Sequence, residues 1–333
     1  TQEVALGSQL RERRARVHAA VAEALTELHA GSLDEHAALL AQHWESAGRM
    51  LDAARWHARV ALRAQYGLDT QAALDRWRQV EGLLAPLAED QETLALRATA
   101  LSRILPSAVL ALNPTTETEA LFERGIDLAR RAGNRRAEAM LHSGRAMALY
   151  FTGARSAVFR AEREPAVAIA EADGDVALLL TVSGIDPADD MREALAGTDR
   201  LIALAGDDPG LGADLSGFSP LLRLLSLIRP NILVALGRLR EADETLTHAG
   251  QILGVYSDLL SERFIRMGRS RLALARGDIP EAVSMATRAV ELASEVKSEF
   301  NKANTLLSLF AAHAAAEDWD RAEVTLAESS GIG

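Results

Sequence analysis

The chain has 333 residues, no cysteine and a formal net charge of −11, with 47 acidic against 36 basic residues. These numbers exclude a disulfide framework and a thiolate metal site, and they leave no basic stripe for following nucleic-acid phosphates. Apolar residues make up 48% but aromatic residues only 4%, an Ala- and Leu-rich palette that predicts an all-α fold rather than sheets.

Residues 8–29 carry Leu10, Val17, Val21, Leu25 and Leu28 at helical spacing, with Arg11, Arg13, Arg14 and Arg16 read as a solvated face. Ser32 and Glu35 have the spacing of a capping box and open a second helix through Leu39, Leu40, His43 and Trp44, closed by Ala47-Gly48. Ala53, five residues past Gly48, lies early in a helix that packs back on it. Gln71 to Leu87 is striped by Leu74, Trp77, Val80, Leu83 and Leu84. Residues 94–112, 117–132, 135–151 and 158–172 read as helices parted by Asn113-Pro114, Gly133-Asn134, Gly153 and Asp173-Gly174-Asp175. Pro106 and Pro165 should each kink or end a helix. Gly184 to Asp190 breaks the pattern, Met191 to Ala205 resumes it, and 206–220 is the longest irregular stretch. Such a loop on a rigid array suits either a connector between sub-arrays or a partner or ligand contact, with Asp207, Asp208, Ser216 and Phe218 as candidates.

From Leu233 a motif recurs at a fixed interval. Gly237, Gly277 and their stand-in Glu317 are 40 residues apart, each followed two residues later by Leu239, Ile279 or Trp319 and five later by Ala242, Ala282 or Ala322. Glycine ends one helix in a left-handed conformation, the larger apolar residue plugs the bend, and alanine lets the next helix approach closely. Asp278 suits an N-cap, with Pro280 in the first turn. A 40-residue period of this kind predicts a tetratricopeptide-like α-solenoid, a right-handed superhelix of antiparallel helix pairs. Gly48, Ala53, Gly237, Ala242, Gly277, Ala282, Trp319 and Ala322 are its expected packing residues. The expected divisions are 1–88, 89–205, a connector at 206–220 and regular repeats over 221–333, in one continuous array.

No catalytic constellation stands out. His36 and His43 are about 10.5 Å apart along one helix, too far to share a metal, while His43 and His57 could approach across a hairpin near Glu45. Gly210-Leu211-Gly212 lacks the remainder of a phosphate loop, so no cofactor is expected. Asp189-Asp190 and Asp207-Asp208 invite a magnesium-dependent helical enzyme as an alternative, but their Pro and Gly neighbours favour turn and cap roles. Without a run of about 18 apolar residues or a signal segment, no membrane span is expected and the setting is read as cytoplasmic. The start at Thr1 suggests a piece of a longer protein.

Three early segments, Arg16 to Leu25, Glu35 to Gly48 and Ala53 to Arg59, resemble the region that follows the ATPase module in bacterial signalling ATPases of the STAND and AAA-like kind. Further on, Arg76-Trp77-Arg78-Gln79-Val80, Thr198-Asp199-Arg200, Gly206 to Pro209 and Leu215-Ser216-Gly217-Phe218-Ser219-Pro220 are similar to the long C-terminal repeat region of multidomain class III adenylate/guanylate cyclases. The first half is shared with LuxR-type transcriptional activators of similar build. The resemblance implies a non-catalytic regulatory array, partnered by its own upstream ATPase and cyclase modules and by a peptide, protein or small-molecule effector. Gly184 to Asp190, and Pro230 within a helix, depart from that family pattern.

Overall fold

The computed structural model describes residues 2–67, 69–110, 117–183, 190–256, 259–295 and 298–331. Among them only helices occur: α1 Gln2–Leu28, α2 Ala37–Ser46, α3 Met50–Tyr66, α4 Thr70–Leu84, α5 Gln91–Leu110, α6 Glu117–Arg131, α7 Arg135–Phe151, α8 Ser156–Ala172, α9 Val176–Val182, α10 Met191–Ala205, α11 Ala213–Ser216, α12 Pro220–Arg223, α13 Arg229–Ala235, α14 Leu239–Leu253, α15 Leu259–Arg276, α16 Ile279–Glu295, α17 Glu299–Ala315 and α18 Trp319–Ser330, with a π-helical turn, Leu224–Ile228, between α12 and α13. Long helices pack on the helix before and the helix after. In addition α3, α5, α7 and α9 touch in series, as do α13, α15 and α17. Helices of that layer lie closer together than those behind it, so the array curves toward them. This is the all-α, tetratricopeptide-like solenoid that the repeat predicts.

One turn geometry builds most of the hairpins. At Gly48, Gly133, Gly153, Gly174, Gly237 and Gly277 the backbone is left-handed, with φ between +61° and +80°, and Glu317 adopts φ +56° in the same role. At Gly277 the N–H donates to Leu274 O at 3.1 Å and the Asp278 N–H to Ala273 O at 2.9 Å; at Glu317 the corresponding bonds reach Ala314 and His313. These paired back-bonds satisfy carbonyls that the helix end would otherwise leave open. Asn134, Asp175, Asp278 and Asp318 then cap the next helix, each side chain accepting from the N–H three residues on. Gly277→Ala is expected to cost about 1 kcal/mol, and Glu317→Gly to recover about as much, because only the backbone conformation changes cost at these solvent-facing turns. Urea unfolding of the two variants should shift in opposite directions.

Ala53, Ala242 and Ala282 are fully buried and Ala322 nearly so. Other details differ from the reading of the sequence. Trp319 does not plug its bend but is 63% exposed. On α1, Leu10, Val17 and Leu28 are likewise exposed, whereas Arg11, Arg13, Arg14 and Arg16 form a solvated face, as read. Ser32 precedes a stretch of turns and α2 starts only at Ala37, after His36, which makes no capping bond. Pro106 and Pro165 end neither α5 nor α8. Pro230 is accommodated by the π-helical turn before it. That wider turn absorbs the missing N–H, and the Ser226 carbonyl faces Gly268 of α15, where an added Cβ would lie 2.8 Å from it. The core is a file of small clusters, each spanning a few neighbouring helices, from Leu40 and Trp44 at one end to Ala282, Ala286 and Ala312 at the other. Asn113-Pro114 and Gly184 to Asp189 lie outside the described residues.

Candidate functional site

The concave layer is not empty. Residues 206–219 leave α10, turn inward and lodge against α3, α5, α7 and α9. Asp207 and Asp208 stay exposed on the outer rim, and Asp208 Oδ1 accepts from the Gly210 N–H at 2.8 Å, an ordinary turn cap. The single turn α11 follows, bounded by two left-handed glycines, Gly212 at φ +79° and Gly217 at φ +80°. Neither could carry a side chain: a Cβ on Gly212 would meet Ala177 O at 2.8 Å, and one on Gly217 would meet the Gln65 side chain at 2.7 Å and its carbonyl at 2.9 Å. Leu215 is buried in a cluster with Ala139 and Met140 of α7, Ala166 of α8, and Leu178 and Leu179 of α9. Its carbonyl accepts from Nη1 of Arg103, a buried side chain of α5. Ser216 Oγ donates to Phe218 O at 2.6 Å, and the Phe218 ring lies under the Arg223 guanidinium at 5.3 Å.

The four loop residues singled out in the sequence therefore divide, with Asp207 and Asp208 facing out and Ser216 and Phe218 half-buried within the curve. The residues that hold the loop, Gln65, Arg103, Arg136 and Arg223, escaped sequence reading. Nothing in a helical arginine's local context announces which way it faces.

This interior is electropositive. Burial pushes the Arg103 guanidinium down to about 10, with Asp214 and Tyr66 acting the other way. Burial likewise brings Arg223 to about 10, and no carboxylate offsets it although part of its surface stays open to solvent. Arg136 Nη2 pairs with Asp175 at 2.7 Å, and its Nη1 lies 3.9 Å from Asp214. Burial, then Asp214 and Tyr256, raise the Tyr66 phenol above its ordinary value. The buried Gln65 Oε1 receives no hydrogen bond. Across the curve, Phe151 at the end of α7 meets Phe300 at the start of α17 edge-on, with ring centroids 4.9 Å apart, so the two arms of the array touch inside.

The candidate metal groups do not assemble. Asp190 caps α10, accepting from Arg192 N–H at 2.7 Å, and Asp189 lies outside the described residues. His43 turns to His18, the two Nδ1 atoms 2.9 Å apart, and His57 Nε2 lies 3.1 Å from Glu45. Among the described residues no three His, Asp or Glu side chains share a point where an ion could sit. Burial lowers the pKa of His43 and of His57; His18 adds to the first shift, while Glu45 opposes and Arg76 assists the second. Burial thus disfavours the charged form of both imidazoles in the folded chain. As pH falls below 6.5 the unfolded chain takes up protons that the folded chain resists, so stability is lost toward acid and regained above 6.5. Amide exchange in α2 and α3 should be faster at pH 5.5 than at 7.5, once corrected for intrinsic rates, and a His43→Asn, His57→Asn double variant should flatten that difference.

A cleft of about 250 Å³ opens between α8, α9, α10 and the π-helical turn, with Leu224 and Ile228 among its walls and an Arg200–Glu171 ion pair of 3.1 Å beside it. It is below the size usual for small-molecule sites. No helix among the described residues is long and apolar enough to cross a membrane.

No protein-family model and no curated protein matches the chain. Its fold is similar to that of a Rap protein whose crystal structure was solved in complex with competence and sporulation factor, with a TM-score of 0.53, covering 85% of this chain and 77% of that one. At 11% identity the likeness concerns the fold alone.

Proposed function

We propose that the chain is a non-catalytic regulatory and protein-interaction array of a larger signalling ATPase, linked to a class III adenylate/guanylate cyclase, and that it receives an effector or partner on its concave face. The observation that carries the reading is the interior itself. Arginines on the inner face, Arg103 buried and Arg223 partly so, take hold of a peptide carbonyl and an aromatic ring, contacts suited to recognition. The Rap protein of similar fold was crystallised as a complex, which fits the same use of the architecture. The exposed apolar residues of α1, Leu10 at 64% and Val17 at 55%, suit a surface covered by a neighbouring module.

The test is to read the gene upstream of the Thr1 codon and express the extended chain. A nucleotide-binding module there, with the amides of α1 becoming protected from exchange, supports the reading. A helix-turn-helix module without a cyclase assigns the array to a LuxR-type activator instead, and a start codon at that point removes the larger-protein part of the proposal.

A further inference from the structure

Five consecutive residues of the inward loop are fixed in place, four of them by side chains outside the loop and Ser216 by bonds within it. Asp214 faces Arg136 and adds to the field at Arg103. Leu215 fills the apolar recess between α7 and α9 while Arg103 takes its carbonyl. Ser216 closes the turn on Gly212 O and Phe218 O. Gly217 passes so close to Gln65 that no side chain fits, and Phe218 is covered by Arg223. Among the described residues the hydrogen bond of Arg103 goes to this loop, with Tyr66 of α3 and Asp214 in its field. The largest core cluster, running from Ala54 to Leu141 through α3 to α7, contains no residue of the loop. The packing of α3 to α7 on one another is therefore expected to survive displacement of the loop. The fit is also incomplete, because Gln65 Oε1 is left buried without a donor.

We propose that the segment Asp214-Leu215-Ser216-Gly217-Phe218 is an internal ligand, and that the face of α3, α5, α7 and α9 beneath it is a peptide site, occupied here in cis. Its outside ligand is a short peptide built to the same plan: an acidic residue, a leucine anchor whose carbonyl meets Arg103, a glycine where the backbone crosses Gln65, and an aromatic residue. Such a peptide gains the site only by displacing the loop, so the array is closed until a competitor of this type arrives. This deepens the proposed function and rests on its reading of the concave face as a recognition surface.

Gly217→Ala is the opening variant. It forces a Cβ against the Gln65 carbonyl and disfavours the left-handed turn, yet changes no residue of the array's face. The probe is a fluorescent decapeptide of residues 210–219, followed by anisotropy. Saturable binding to Gly217→Ala is expected, at least tenfold tighter than to the unaltered chain and reduced at least tenfold when Arg103→Ala is added. Failure of the peptide to bind a folded Gly217→Ala chain, or equal binding to both chains, overturns the proposal. Hydrogen exchange on the unaltered chain gives a second measure that needs no variant. The amides of Leu215, Ser216 and Gly217, bonded to Gly212 and Ala213 carbonyls, should exchange at least a hundredfold faster than those of α7 and α9; exchange in step with α9 would make the loop permanent core. The two readings fail separately. Peptide binding with no upstream module leaves the cis-ligand standing and removes the signalling ATPase, whereas an upstream module that binds while the loop stays protected does the reverse.

Discussion

Glu81→Ala is expected to cost about 3 to 5 kcal/mol, because it strands a buried guanidinium. Arg97 Nε and Nη2 donate to the two Glu81 oxygens at 3.0 and 3.1 Å, and the side chains are only 10% and 11% exposed. The Glu81 hydrogen bond holds the Arg97 pKa above its ordinary value in spite of burial. Glu89 also reaches Arg97, at 3.4 Å, but it is shared with Arg131 and cannot replace a two-pronged partner. Replacing both partners together, Glu81→Leu with Arg97→Met, should return stability close to the original, since neither side of the double variant buries a charge. Chemical denaturation of the single and double variants measures the difference. Hydrogen exchange should confine the loss to α4, α5 and α6, as stability in a stacked array is nearly local. A loss below about 1 kcal/mol for Glu81→Ala would mean that water reaches the pair.

The hairpin turns were legible because one residue decides them. A left-handed position followed by a capping Asn or Asp can be read locally at Gly133-Asn134, Gly174-Asp175 and Gly277-Asp278, and even Glu317-Asp318 was placed by its spacing. The hairpin after Gly133 departs from the five-residue rule, because that position holds the half-buried Glu138 and the buried contact falls one residue earlier, on Ala137. The loop was harder. Leu215 is one of a few scattered apolar residues in a Gly-, Asp- and Ser-rich run, and the recess that buries it exists only once α7 and α9 are side by side. Arg103 and Glu81 sit on otherwise apolar faces, Glu81 directly after Val80 on the stripe of α4. Pattern alone marks such a charge as an interruption rather than as half of a pair.

Arg263→Met is expected to raise stability, by about 1 to 4 kcal/mol. Arg263 is fully enclosed between α15 and α17, and burial pushes its guanidinium down to about 9 with no carboxylate to oppose the shift. Its partners are neutral: Nη1 donates to Thr305 Oγ1 at 2.6 Å and to Asn301 O at 3.2 Å, Nη2 donates to Asn301 Oδ1 at 2.8 Å, and Nε has no acceptor. The charge therefore bears its desolvation cost with no counter-charge, only the Phe264 ring 4.4 Å away beside it, unlike that of Arg97. A methionine fills similar volume beside Met267. Thr305 keeps its bond to Asn301 O at 2.7 Å, and Asn301 is half-buried, so water can serve the acceptors that lose a donor. A higher denaturation midpoint for Arg263→Met, with unchanged helix content, is the expected result. A fall of 2 kcal/mol or more, on the scale of hydrogen bonds to a charged group, would instead show that the three bonds to α17 outweigh the buried charge. In the first case the arginine is retained at a cost to stability, which directs the search for its use to the seam between α15 and α17, beside the Phe151–Phe300 contact where the two arms of the array meet.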